Sequence, residues 1–209
     1  MPKDWRKQQG QDTYFKKAKQ EGYRARSVYK LQEINERLHL IRRGSIILDL
    51  GAAPGSWSQL ATQLAGMGGR VIAVDLSPID PLPGVTAIQG DIFKTETIQV
   101  IASLLPNGAD VVLSDVSPKI SGIKLSDHAR SIELASASLA AALRFLHPGG
   151  SFVVKVFQGE DFPAFVNSVR AHFETVKIMR PEASREESNE HYVVGLRMKA
   201  NSPSSQKSP

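Results

Sequence analysis

Four aspartates stand at or just after the ends of apolar runs, and one lysine lies inside another. Asp49 follows Ile46-Ile47-Leu48, Asp75 closes Val71-Ile72-Ala73-Val74, Asp91 follows Val85 to Gly90, and Asp115 follows Val111-Val112-Leu113-Ser114. Carboxylates can accept hydroxyl and amine protons and offset a cationic ligand. A lone aspartate at such a place is ordinarily a turn or helix-capping residue. Four at successive run ends point instead to a shared ligand edge. Lys155 sits in Phe152-Val153-Val154-Lys155-Val156-Phe157. An amine in so apolar a run is costly unless it is paired or works at an active edge. Burial and a second lysine would favour its neutral, proton-accepting form, and a flanking carboxylate would oppose it.

These groups need a scaffold that gathers strand ends. Ile46 to Trp57 reads as a buried strand, a turn of small residues (Gly51-Ala52-Ala53-Pro54-Gly55) and the start of a helix. Such a turn lets a ligand approach the backbone, with the positive end of the helix behind it. In a parallel α/β sheet, ligands sit beyond the carboxyl ends of the strands. A dinucleotide fingerprint needs three glycines as G-x-G-x-x-G to seat a pyrophosphate. Here Ala53 takes the second glycine's place and Pro54 lies inside the turn. A small zwitterion with a ribose, an adenine amine and a positive charge suits the turn and the aspartates better, and S-adenosylmethionine has all three. Asp75 is then the expected ribose acceptor and Asp91 the expected adenine partner. His128, His147, His172 and His191 are scattered, so no metal site is expected.

The chain has 209 residues, 41% hydrophobic and 22% charged, with no cysteine. That fits one full-sized domain and excludes a disulfide framework or a cysteine nucleophile. The net charge of +5 is unevenly placed: residues 1–43 carry twelve Lys/Arg against five Asp/Glu, and the rest is slightly acidic. A polyanion held near the front end is the expected partner. Lys16, Lys17, Lys19, Arg24 and Arg26 suit phosphate contact. Tyr14, Phe15 and Tyr23 suit either base stacking or packing. The opening Met1 to Arg6 has no apolar stretch, and no run approaches the ~20 residues that span a bilayer. A cytoplasmic protein without a membrane anchor is expected.

Periodicity predicts helices over 13–20, 26–40, 56–66, 95–105, 128–146 and 160–171, with Ser27 or its neighbour capping the second and Arg42-Arg43-Gly44 ending it. Strands are predicted over 46–50, 70–75, 85–89, 110–114, 151–157, 173–179 and 190–198. The alternation implies a mostly parallel seven-stranded sheet with helices on both faces. The short 180–189 connection implies an antiparallel edge pair. The organisation expected is a basic, RNA-facing segment over 1–43, a cofactor-binding domain over 44–199 and a disordered tail over 200–209.

Four segments together carry a resemblance. Gly22-Tyr23-Arg24-Ala25-Arg26-Ser27-Val28-Tyr29-Lys30-Leu31, Leu48 through Gln59, Ser114-Asp115-Val116-Ser117-Pro118 and Ser151 through Gly159 resemble the FtsJ/RrmJ (RlmE-type) RNA ribose 2′-O-methyltransferases, from about residue 12 to 199. One departure is Gly55-Ser56-Trp57, where the family often has Gly-Gly-Trp. The resemblance implies a Rossmann-like class I methyltransferase fold and S-adenosylmethionine as cofactor. Its catalytic tetrad would fall on Lys30, Asp115, Lys155 and Glu190, with Lys155 as proton acceptor and Glu190 preferred over Glu186 and Glu187. Cofactor contacts would fall on Gly55, Trp57, Asp75, Asp91 and Asp115. A uridine of large-subunit ribosomal RNA is the first substrate it suggests, handled by a monomer. The alternatives are a tRNA ribose methyltransferase, a catalytically silent ribosome-assembly factor of the same fold, and a small-molecule methyltransferase.

Overall fold

Strand β1 (Ile46–Leu50) sends successive side chains to opposite faces of a sheet, and both faces are covered. In the computed structural model, residues 12–185 and 188–200 are described. Ile47 joins an apolar layer with α1 (Thr13–Gln20), α2 (Val28–Leu38) and α3 (Ser56–Ala65), through Ala18, Leu31, Ile34 and Leu60. Leu48 and Leu50 join the opposite layer, against α4 (Thr95–Leu104), α5 (Lys124–Phe145) and α6 (Phe162–His172). Ile101, Leu139, Phe145 and Phe165 fill that side.

The other strands are β2 (Arg70–Asp75), β3 (Val85–Gln89), β4 (Ala109–Ser114), β5 (Leu146–Phe157), β6 (Phe173–Met179) and β7 (Glu190–Met198), in the order β3-β2-β1-β4-β5-β7-β6. β3, β2, β1, β4 and β5 run parallel. β7 lies antiparallel between β5 and β6, which makes the expected edge pair. The strand order reverses next to β1, so the carboxyl ends of β1 and β4 flank a crevice of the kind that takes ligands in such sheets.

The boundaries differ in several places, most of all at β5, which begins at Leu146 rather than at residue 151. The second helix stops at Leu38 rather than at Arg42-Arg43-Gly44, because His39 turns left-handed (φ 50°) and its N–H closes on Asn35 O. Ser27 starts that helix without a side-chain cap, its hydroxyl lying 3.0 Å from that of Ser56 instead. α5 begins at Lys124, four residues before the predicted start. Of the organisation read from sequence, residues 1–11 and 201–209 lie outside the described residues.

At the opposite, amino edge of the sheet, Asp110 ties three elements together. Its carboxylate accepts the Ile46 N–H (2.7 Å) and pairs with His147 Nε2 (2.8 Å). The Asp110 bond and the His147 Nδ1 contact to Pro148 O raise the imidazole's pKa against the effect of burial. Burial pushes Asp110 up, but the Ile46 amide and His147 outweigh it and hold the carboxyl below its usual range. The histidine's contribution to stability is complete below about pH 6.5 and fades as pH rises through its higher folded value. The aspartate's contribution fades only as pH falls below about 4. For a half-exposed pair the effect is about 1 kcal/mol or less. His147→Gln should therefore lower stability by up to about that amount near pH 5.5 and by almost nothing near pH 9, read from denaturant midpoints. Equal losses at both pH values would refute the pairing.

Candidate active site

Beyond the carboxyl ends of β1, β2 and β4 lies a cavity of about 340 Å³, lined by Gly51, Asp75, Asp91, Phe93, Asp115 and Ser117 among others. The sheet brings together Asp75, Asp91 and Asp115 as the spacing required. Asp75 is held by two backbone N–H groups, from Ala53 (3.0 Å) and Ser77 (2.7 Å). Asp91 accepts the Phe93 N–H at 2.9 Å. Gly51 is required here: its φ is +69°, and a Cβ would lie 2.2 Å from Cγ2 of Val116.

Asp49 lies beneath the cavity rather than on it. Its side chain is buried, with Ser58 Oγ donating to Oδ2 at 2.6 Å and no hydrogen-bond partner on Oδ1. Burial, together with the charges of Asp115 and Asp75, raises its pKa to about 7 against the Ser58 bond.

Gly55 and Trp57 do not line the cavity; they anchor the start of α3. Gly55 takes the left-handed cap position (φ +107°). The Trp57 indole N–H donates to Ser27 O (2.8 Å), and its ring lies 5.8 Å from that of Tyr192. Arg24 braces the same turn, donating to Pro54 O (3.0 Å), Asp80 O (2.8 Å) and Pro81 O (3.0 Å).

The candidate reacting groups meet at the cavity's Asp115 end. Lys155 Nζ donates to Asp115 O (2.7 Å) and lies 3.1 Å from Oδ1. Tyr192 OH donates to the same Oδ1 at 2.6 Å. Lys30, from α2, pairs with Glu190 at the start of β7, and its Nζ lies 5.8 Å from the Tyr192 ring centroid. Register explains the convergence. Lys155 stands opposite Tyr192, and Phe157 opposite Glu190, so alternation puts Lys155, Tyr192 and Glu190 on the face that α2 covers. Lys155 and Glu190 are each only 7% exposed, which makes their pairing a requirement. Burial works to raise the Asp115 pKa. Lys155, Lys30 and the Tyr192 hydroxyl overcome it, and the carboxyl stays below its usual range. The Tyr192 hydroxyl is pushed well up, by burial first and then by Asp115 and Glu190, so it remains a proton donor.

The FtsJ-like methyltransferase family model matches residues 23–198. The chain belongs to this family. It is 54% identical over 187 residues to the ribosomal RNA large subunit methyltransferase E of Methanothrix thermoacetophila, covering 90% of this chain and 72% of that one. It is 52% identical over 189 residues to the protein of the same name from Archaeoglobus fulgidus, covering 90% and 97%. A solved Plasmodium falciparum chain, provisionally named a ribosomal RNA methyltransferase, superposes with a TM-score of 0.74 at 28% identity, covering 84% of this chain and 98% of that chain. The fold is therefore the Rossmann-like methyltransferase fold, with the antiparallel pair at its edge.

In this methyltransferase several basic and aromatic residues of the front end are engaged within the fold. Arg26 pairs with Asp12 and donates to Ala183 O, and Arg24 holds the turn through exposed bonds. Tyr14 and Tyr23 pack around Tyr29 at 5.5 and 6.3 Å. Lys16 and Lys19 remain exposed on α1. Tyr192 and Ser58 were missed by the sequence reading. The i, i+2 relation of Glu190 and Tyr192 on a strand was the available signal for Tyr192. Among the described residues, no group of three or more His, Asp or Glu side chains is placed to hold a metal ion.

Proposed function

We propose that this methyltransferase uses S-adenosylmethionine to methylate a ribose 2′-hydroxyl of RNA, with a uridine of large-subunit ribosomal RNA as the acceptor. The observation that carries the reading is the buried Lys155 amine held by Asp115, itself a wall of the cavity. The cavity's residues suit that cofactor. Asp75 and Asp91 offer fixed carboxylates for ribose hydroxyls and an amine. Gly51 keeps the backbone close, and the unpartnered Oδ1 of Asp49 leaves negative character beneath a site meant for a cation. Gly55 and Trp57 set the position of the first turn of α3, whose N–H groups have no partners within the helix and suit a carboxylate.

When bound, S-adenosylmethionine supplies a methyl group already activated on a sulfonium. The protein's residues then have two tasks: aligning the ribose oxygen and taking its proton. In this reading Lys155 Nζ accepts that proton, and Asp115 stabilises the ammonium that results. Lys30, neutralised by Glu190, positions the ribose, and Tyr192 fixes the Asp115 carboxylate. In this reading the protein works in the cytoplasm. Every residue invoked comes from one chain, so a monomer suffices. Among the described residues, no helix is long and apolar enough to cross a membrane.

The test is to offer labelled S-adenosylmethionine with large ribosomal subunits, protein-free ribosomal RNA or tRNA. Label in large-subunit RNA is the expected result; label in tRNA alone would replace the acceptor assigned here. A second expectation concerns Asp49, whose pKa of about 7 leaves it substantially protonated at neutral pH. A cationic ligand favours the ionised form. Cofactor affinity should therefore rise as pH increases through about 7, with up to one proton released per molecule bound. Calorimetry in buffers of different ionisation heat reads this directly, and Asp49→Asn should flatten both effects. Affinity that falls with rising pH would contradict it.

A further inference from the structure

The segment that leaves the cavity after Asp115 carries an unusual surface. Val116 and Ser117 line the cavity, and Pro118 is buried. The chain then exposes Ile120 (73%), Ile123 (65%) and Leu125 (73%) within six residues. On the cavity's other rim, Leu76 and Phe93 are also exposed. Other exposed large apolar side chains of the described residues, such as Met67 on the turn after α3, lie away from this mouth. Scattered apolar residues need no explanation, whereas a cluster at the entrance of a site does.

The segment is also held in shape. Asp127, buried in the first turn of α5, accepts the Ser121 N–H (2.8 Å), the Ser121 hydroxyl (2.7 Å) and the Gly122 N–H (3.1 Å). The Ser121 hydroxyl oxygen accepts the Ile123 N–H at 3.2 Å. Gly122 turns left-handed (φ +85°) with open space around it. Lys119 and Lys124 alternate with the aliphatic side chains. Between Val116 and Ser126 there is no acidic residue, and the carboxylates at its two ends are engaged, Asp115 by Lys155 and Tyr192 and Asp127 by the loop.

Resting on the proposed RNA ribose methylation, we propose that Val116–Leu125 is a preformed wedge that seats the acceptor strand. Lys119 and Lys124 meet phosphates, and Ile120, Ile123 and Leu125 lie against the faces of unstacked bases beside the acceptor nucleotide. A ribose hydroxyl can reach a lysine that is 7% exposed only from a strand opened out of its helix. Aliphatic side chains that replace lost base stacking, flanked by cations, supply what that strand needs. A neutral protein partner would fit the aliphatic residues alone. The interleaved lysines favour a polyanion.

The test uses the full chain carrying Ile120→Ser, Ile123→Ser and Leu125→Ser together, and separately Lys119→Gln with Lys124→Gln. All five side chains are exposed, and melting temperature and S-adenosylmethionine affinity report whether either variant is damaged elsewhere. For the triple variant, kcat/KM on the form of large-subunit RNA that the parent methylates, protein-free or in the subunit, should fall roughly tenfold or more, with cofactor affinity within about twofold of the parent. For the lysine variant, RNA affinity should fall and the slope of log affinity against log salt should flatten by about 1.5. Undiminished methylation by the triple variant of the form of large-subunit RNA that the parent methylates would overturn the wedge, as would a loss on assembled subunits beside undiminished methylation of protein-free RNA, which would make the segment a contact for ribosomal protein. If the parent itself methylates no RNA, the functional reading fails and the wedge fails with it. Parent activity beside an undiminished variant removes the wedge alone.

Discussion

Lys155→Ala should reduce methyl transfer by about 10²–10⁴-fold while leaving S-adenosylmethionine affinity within about twofold. The amine sits 3.1 Å from Asp115 Oδ1, at the end of the cavity away from Asp75 and Asp91, the carboxylates suited to the nucleoside. Removing it takes away the proposed proton acceptor and leaves the groups suited to the cofactor intact. Lys155→Met, which keeps most of the side-chain volume, should be just as inactive, so a packing defect cannot account for the loss. Single-turnover rates beside calorimetric cofactor binding separate the two effects. Near-normal turnover in either variant would remove Lys155 from the chemistry.

Asp115→Asn should produce the second large effect, on both rate and stability. Asp115 compensates a lysine that is 7% exposed and accepts the Tyr192 hydroxyl. Neutralising one partner of such a pair leaves the other buried without its counter-charge, which typically costs about 3–5 kcal/mol. An asparagine carbonyl can still accept from Tyr192, which limits the rearrangement. Turnover should fall by at least about 10²-fold, since the ammonium formed on Lys155 loses its stabilising charge. Denaturant midpoints and single-turnover rates read the two parts. An Asp115→Asn protein as stable as the parent would contradict the role of the pair.

The strand positions were legible because each apolar run is β-branched and punctuated. Val71 to Asp75 and Val111 to Ser114 end where a turn must begin, so their aspartates were bound to reach one edge. Lys155 was conspicuous for the opposite reason, as a charge where strand periodicity demands an apolar side chain. Other features depended on contacts between distant segments. Tyr192 meets Asp115 across 77 residues through an antiparallel register that local periodicity does not determine. Arg24 and Arg26 read as phosphate ligands because charge is visible in sequence and direction is not. Both donate to backbone carbonyls of distant segments, which the sequence does not show. His39 ends its helix in a conformation ordinarily signalled by glycine or asparagine, so nothing in Leu38-His39-Leu40 marked the stop.

The position of the transferred methyl group tests the account most directly. Large-subunit RNA treated with the enzyme and S-adenosylmethionine can be digested to nucleosides and resolved by mass spectrometry. A methyl on the ribose 2′-oxygen of a uridine, absent when Lys155→Ala replaces the parent, is the predicted outcome. A methyl on a base nitrogen or carbon, or the same ribose methylation from the Lys155→Ala enzyme, would contradict it.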